Sequence, residues 1–358
     1  MDKKRVIIIG AGPAGLAAAL STLKEGAHVV VLEHMEEAGK KLLITGNGQC
    51  NLSNTEVGPE HYHGNQQVIR TVLDSFRYED MISFMRSVSV ETETVRYRHE
   101  TCGYLYPKDH KAETVRKMLK NHILEDGGEI LTGCHITHIR NENGVYQVTA
   151  LEGTYEAERL VFATGSNAYP VTGSDSSIYP VLKSLGIVQK TWLPALVALK
   201  SDSVLLRELK GLRADASVSL KDLSEDTVHE TKPGEVQFRE HYISGLPVLQ
   251  LSRYASEALH RGHEVCLKVQ LKKANNKDGI LPLTEAEFRI TGTEGFDHAI
   301  CCSGGIAEED INGLTLESTS RKGMYFAGEM IDVDGDCGGF NLHFAIASGL
   351  LAGRNAAK

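Results

Sequence analysis

The sequence predicts an α/β protein: a Rossmann-like dinucleotide-binding domain with a β-rich domain inserted into it. Three observations carry that prediction. A fully apolar run, Val6 to Ile9, leads into the glycine turn Gly10-Ala11-Gly12-Pro13-Ala14-Gly15 and then into a helix-forming segment. Two later apolar runs, Leu160 to Ala163 and Met324 to Ala327, have the same buried-strand character and lie far apart in the chain. Between about Trp192 and Ile290 the pattern changes to short alternating strands.

Taken in order, Val6 to Ile9 is β-branched throughout, as suits a strand covered on both faces. Pro13 to Lys24 reads as a helix rich in small residues, closed by Gly26, and Val29 to Leu32 as a second strand ending at Glu33. Gln66 to Val90 is expected to be one amphipathic helix, and Ala112 to Glu125 another, closed by Gly127-Gly128. Glu129 to Arg140, Val145 to Leu151 and Thr154 to Glu158 are expected to form a three-stranded meander. One helix, Leu249 to Leu259, and the polar stretch Lys272 to Asp278 fall within the insert, and Asn341 to Ala352 is the last helix. The expected division is a discontinuous domain of residues 1–190 and 295–358, with a shortened insert of residues 191–294.

Bulk properties bound the function. The 358 residues are 41% hydrophobic, enough for a large core, and 24% charged. A net charge of −9 without a basic run argues against a nucleic-acid partner. The apolar run near the start is too short for a signal peptide, and nothing approaches a membrane span. Seven cysteines with no C-x-x-C pattern suit a reducing compartment, so a cytoplasmic protein acting on a small molecule is expected.

The glycine turn is G-x-G-x-x-G in the setting its chemistry needs: after a strand, opening a helix, with an acid one βαβ unit later. Gly10 permits the turn, Gly12 lets a pyrophosphate approach, Gly15 lets helix and strand pack, and the helix N-terminus supplies free N–H groups. Glu33 would accept hydrogen bonds from a ribose diol and would repel a 2′-phosphate. That unit alone does not separate NAD from FAD. Thr164-Gly165 after the Leu160 strand, and Ala327-Gly328-Glu329 after the Met324 strand, point to FAD. Flavoproteins of the two-dinucleotide-binding-domain type carry such a pair of later strands.

Longer motifs sharpen this. Ala38-Gly39-Lys40-Lys41 through Thr45-Gly46-Asn47-Gly48-Gln49-Cys50-Asn51 to Asn54 resembles the signature of a bacterial flavoprotein family. That family includes aminoacetone oxidases and bile-acid enone reductases. So do Thr164-Gly165 to Ser174, Tyr242-Ile243-Ser244-Gly245, Ser303-Gly304-Gly305-Ile306, and Asp332 to Leu342. The resemblance implies an FAD-binding fold with a β-rich insert. It implies that Lys41, Thr45 and Gly46 to Asn51 line the flavin side of the first loop. Gly328, Glu329, Asp336 and the backbone of Gly339, Phe340, Asn341 and Leu342 would face the ribityl chain and the ring edge. Three features depart from the family: a short insert, Tyr242 where glycine is usual, and His343 where glutamine is common.

The activity implied is hydride transfer at flavin N5, with NAD(P)H as transient donor and a small molecule as acceptor. An amine oxidase producing hydrogen peroxide, and a flavoprotein acting on RNA, are the alternatives. Tyr242 and His343 are the candidates to contact substrate or relay a proton. Their plainer readings are a core-filling phenol and a helix-capping imidazole. No metal site is expected. Asp332, Asp334 and Asp336 lack the glycine and glutamate spacing of a calcium loop, and His61-Tyr62-His63 reads as a solvated loop. Cys301-Cys302 reads as strand, and Cys50 and Cys337 as pocket or core thiols.

Overall fold

The computed structural model describes residues 4–97, 101–272, 275–276, 279–280 and 284–358. The basic lead at 1–3, and residues 273–274 and 277–278 of the polar stretch, lie outside them. The chain forms two compact units. The first comprises Met1–Ser166, Val171–Thr191 and Gly304–Lys358, and the second Asn167–Pro170 and Trp192–Ser303. The return comes at Gly304, later than 295. Glu294 N–H donates to the Ala198 carbonyl and Ile300 N–H to that of Leu196, tying that stretch to the second unit.

The first unit is built on a five-stranded sheet. Its spatial order is Met324–Phe326, Arg159–Phe162, Arg5–Ile9, His28–Leu32, Glu129–Leu131, and every pairing is parallel. Ile9 lies in register with both Leu32 and Phe162, so three strands end level around the glycine turn. The side chains of Val6 to Ile9 are buried, which explains their unbroken apolar run. The opening helix spans Pro13–Lys24, as its pattern predicts.

Two expectations are corrected here. Glu129 to Arg140 is not one strand of the meander. Glu129–Leu131 instead forms the edge of the parallel sheet, and the meander is Ile136–Glu142, Val145–Ala150 and Gly153–Ala157. The break is held by Gly133 N–H on the Met35 carbonyl and Cys134 N–H on that of Glu33. Gln66 to Val90 is two helices, Gln66–Ser75 and Tyr78–Ser87. Between them Phe76 is extended, with its carbonyl turned to the ring of His343, and the Asp80 carboxylate caps the second helix by accepting the Arg77 N–H.

The closing helix, Phe340–Ala357, is longer than predicted and packs along the opening one. Gly349 and Gly353 face it so closely that an added Cβ would sit 2.2 Å from the carbonyl oxygens of Ala14 and Ala18 respectively. Hydroxyls stitch the seam: Ser21 donates to the Leu350 carbonyl, and Thr22 shares its hydrogen between the Gly353 carbonyl across the seam and that of Ala18 in its own helix.

The second unit holds a seven-stranded sheet, in the order Glu285–Ile290, Val265–Leu271, Arg213–Asp222, Thr227–Phe238, Tyr242–Ser244, Leu199–Lys200, Gly292–Thr293. Its pairings are antiparallel. Alternate residues, such as Val218, Leu220, Val236 and Phe288, are buried in one core with Val248, Leu251, Ala255 and Ala258 of the helix Leu246–His260. That helix starts earlier than 249 because Pro247 fits its first turn. No helix among the described residues is long and apolar enough to cross a membrane.

Candidate functional site

The glycine turn sits at the end of the first strand with Gly10 at φ +98°. A Cβ there would lie 2.6 Å from the Ala163 carbonyl oxygen. One on Gly15 would lie 1.9 Å from the Gly10 carbonyl oxygen. Gly12 differs: the nearest atom to its would-be Cβ is 4.0 Å away, so its face opens onto free space. Pro13 occupies the first helical turn, which carries no acid and no side-chain cap, leaving the buried N–H groups of Ala14 and Gly15 unclaimed within the helix. This arrangement suits a pyrophosphate. Glu33 is buried nearby, accepting from Ala11 N–H at 2.7 Å and Met35 N–H at 2.9 Å. Each carboxylate oxygen has two lone pairs, so the one on Ala11 retains acceptor capacity for a ribose hydroxyl.

Ala14 also meets the Gly328 turn, where a Cβ would lie 2.7 Å from its own. Gly328 N–H donates to the Ser348 hydroxyl on the closing helix. The adjacent Glu329 holds Lys41 Nζ at 2.6 Å, and the Ser174 hydroxyl lies 3.4 Å from the same nitrogen. Ser174 in turn accepts from Ser166 N–H. Gly165 is close beside it, and Thr164 donates its N–H and hydroxyl to the Met330 sulfur. Residues far apart in sequence thus converge in one unit.

The Thr45 to Asn51 loop is a tight, irregular coil. Gly46, Asn47, Gly48 and Cys50 all have positive φ. Thr45 donates its hydroxyl to the Leu42 carbonyl, while its own carbonyl accepts from Cys50 N–H. Gln49 pairs with His110. Asn51 Oδ1 is buried without a hydrogen-bond partner, and a Cβ on Gly339 would come within 2.7 Å of it. A buried acceptor left open beside two glycine-rich loops fits a bound group carrying a donor edge. Burial pushes the thiols of Cys50 and Cys337 up to about 12, with Asp336 adding at Cys337, so neither is a thiolate near neutral pH.

The segment after Asp332 is fixed from several sides. Val333–Gly335 pairs antiparallel with Tyr62–Gly64, and Asp336 accepts from His61 at 3.1 Å. The His61 ring stacks on Phe340 at 4.5 Å, and its pKa is raised by the hydrogen bond to Asp336, against the opposing effect of burial. Tyr62 is buried and donates to the Phe340 carbonyl. The reading of His61-Tyr62-His63 as a solvated loop is therefore corrected: His61 ends a short helical turn and holds Asp336, and Tyr62 and His63 lie on the strand that follows. Asn341 pins Gly335 through both its N–H and its carbonyl, and Leu342 is buried. Asp332 accepts from Gly304 N–H and from Lys190.

His343 is fully buried. One ring nitrogen lies 3.1 Å from the Phe76 carbonyl and the other 2.8 Å from the Ser53 hydroxyl. The carbonyl requires a proton on Nε2, so Nδ1 accepts from Ser53. Burial lowers its pKa to about 4, keeping it neutral. Both nitrogens are committed inside the core, which corrects the expected proton relay: His343 is an anchor for the closing helix. Tyr242 lies in the second unit, half-buried on the strand beside Lys200, with the Arg239 guanidinium 5.2 Å from its ring centre.

Sequence reading missed the Gly349/Gly353 seam, Ser348, His61 and Ser174's hydrogen bonds. The first had a visible signal, two glycines four apart in an apolar helix; the others depend on contacts across long stretches of chain.

Residues 4–355 match the HI0933-like protein Rossmann domain family. The chain belongs to that family. The chain is 32% identical to the 3-dehydro-bile acid delta(4,6)-reductase of Clostridium scindens, with 99% of each chain covered. The alignment runs over 417 positions although this chain has 358 residues, so the relative holds sequence that this one lacks. It is also 28% identical to the ribosomal RNA dihydrouridine synthase of Haemophilus influenzae, with 96% of each covered. The 3-ketosteroid delta1-dehydrogenase from Sterolibacterium denitrificans shares the fold, with a TM-score of 0.58 over 100% of both chains at 10% identity.

Proposed function

We propose that the chain is an FAD-dependent oxidoreductase in which bound FAD would carry a hydride from NADH or NADPH to the alkene of a small-molecule acceptor, the accompanying proton coming from solvent. The observation that carries the reading is the end-to-end likeness to a bile-acid reductase, in a chain whose glycine turn, Glu33 and opening helix form a dinucleotide cradle. Bound FAD would supply the two-electron chemistry. Around it, the Ala14 and Gly15 N–H groups would hold the pyrophosphate and Glu33 the adenosine ribose. Glu329, kept in place by Lys41, would hold the ribityl chain. The first turn of the closing helix, free of any side-chain cap, offers N–H groups and the positive end of the helix dipole to an electron-rich group bound beside it. His343 would keep that turn in place without moving a proton.

The likeness to RNA dihydrouridine synthases supports a second reading, in which the reduced bond belongs to a uracil within RNA. The net charge of −9 weighs against it, because a polyphosphate partner needs a basic face. Anaerobic mixing of the FAD-loaded protein with NADH, NADPH and small amines tests the main reading. Bleaching of the flavin absorbance by a nicotinamide, and its recovery on adding a steroid-like enone, is expected. Bleaching by an amine alone refutes it in favour of an oxidase. Recovery only with RNA favours the second reading.

A further inference from the structure

His34 lies between two carboxylates. Its Nδ1 is 3.2 Å from Glu33 Oε1, and its buried Nε2, which makes no hydrogen bond, is 3.4 Å from Asp175 Oδ2, within ion-pair reach. Asp175 belongs to the segment 172–176, which meets the first unit at further points on both sides. A Cβ on Gly173 would come within 2.7 Å of Met35 and 3.2 Å of the His34 ring. Ser174 is buried, accepts from Ser166 N–H at 3.0 Å and lies 3.4 Å from Lys41 Nζ, which pairs with Glu329. One short strap therefore touches His34, which pairs with Glu33, and Lys41, which pairs with Glu329, the two acids that the cofactor reading assigns to opposite ends of the ribose–ribityl span.

We propose that residues 172–176 form a clasp over the adenosine end of the FAD site, latched by His34 between Glu33 and Asp175. The proposal rests on the cofactor reading above. Only a protonated imidazole donates to both carboxylates at once. A neutral ring has a single N–H and must turn a lone pair toward one of them. The hydrogen bond to Glu33, helped by the charges of Glu33 and Asp175 and opposed by burial, raises the His34 pKa above its ordinary value. The latch is therefore complete at low pH and is lost as pH rises through that raised value. The other titratable neighbour is His135, whose ring stands edge-on to His34 at 5.9 Å with Glu152 beside it.

FAD release, read as the recovery of free-flavin fluorescence after dilution of the loaded protein, tests this between pH 5.5 and 8.5. At pH 6, Asp175→Asn and His34→Gln should each speed release about fivefold, the scale of a partly exposed charged pair, and the double variant no more than either alone. Wild-type release should accelerate with pH toward that of the variants. His34→Gln should be flat over the same range, while His135→Asn keeps the wild-type profile. Wild-type release from the variants, multiplying effects in the double variant, or a pH profile that survives His34→Gln overturns the clasp alone. A protein that takes up no FAD overturns the cofactor reading and the clasp with it.

Discussion

Single side chains in this protein divide into those that wait for a ligand and those already satisfied. Glu33 belongs to the first group: its backbone hydrogen bonds aim the carboxylate without exhausting it. Glu33→Ala should weaken FAD binding by about 1.5–3 kcal/mol, the scale of hydrogen bonds to a charged acceptor. Titration of the apoprotein with FAD, followed by flavin fluorescence, measures this, and an unchanged affinity would show that the ribose is held elsewhere. His343 belongs to the second group. Its pKa in the folded chain, about 4, lies below that of a free histidine. Between roughly pH 6.5 and 4 the unfolded chain binds a proton that the folded one refuses, so stability falls as pH falls through that window, by about 3 kcal/mol in all. His343→Gln keeps a donor for Phe76 and an acceptor for Ser53 but cannot titrate. Urea unfolding across that range should show a flatter acid limb for the variant, with FAD content unchanged. The family resemblance marked His343 as a departure; nothing in the sequence showed that both ring nitrogens face protein groups far away in the chain.

At the scale of elements, the seam between opening and closing helices ties the cofactor loop to the C-terminus. In an isolated helix Gly→Ala gains about 1 kcal/mol, but at Gly349 the new methyl carbon would sit 2.2 Å from the Ala14 carbonyl oxygen. The clash wins, and Gly349→Ala should cost about 1–3 kcal/mol and displace the glycine turn. Gly353→Ala meets the Ala18 carbonyl oxygen at the same distance, a full turn further from that loop. The pair separates two effects: both variants should unfold at lower denaturant concentration, but only Gly349→Ala should lose FAD while still folded. Equal FAD loss in both would mean that the seam acts through global stability alone. The helix pattern itself was legible from spacing, and Pro13–Lys24 and Ala112–Glu125 fall where it put them. The break at Phe76 was not, because no proline or glycine marks it and the Phe76 carbonyl finds its partner far away, at His343.

For the whole molecule, the cofactor is expected to be part of the fold's stability. Loops carrying a buried unpaired Asn51 oxygen and a run of positive φ angles are costly without a partner. Free FAD at a hundred times its dissociation constant should add about 2.7 kcal/mol, visible as a rise in melting temperature over the apoprotein. A purified protein that is colourless and whose melting does not shift with FAD would contradict this. The sequence by itself determined the βαβ unit, its acid, the two later strands and the family. Those signals are local: apolar runs of strand length, glycines at fixed spacing and an acid at a strand end. Only the tertiary structure decided that His343 is an anchor, that Glu129–Leu131 belongs to the parallel sheet, and that the strap at 172–176 meets His34 and Lys41. Each of these depends on which distant groups meet, and a buried polar group takes its role from the partner that satisfies it, which no local pattern records.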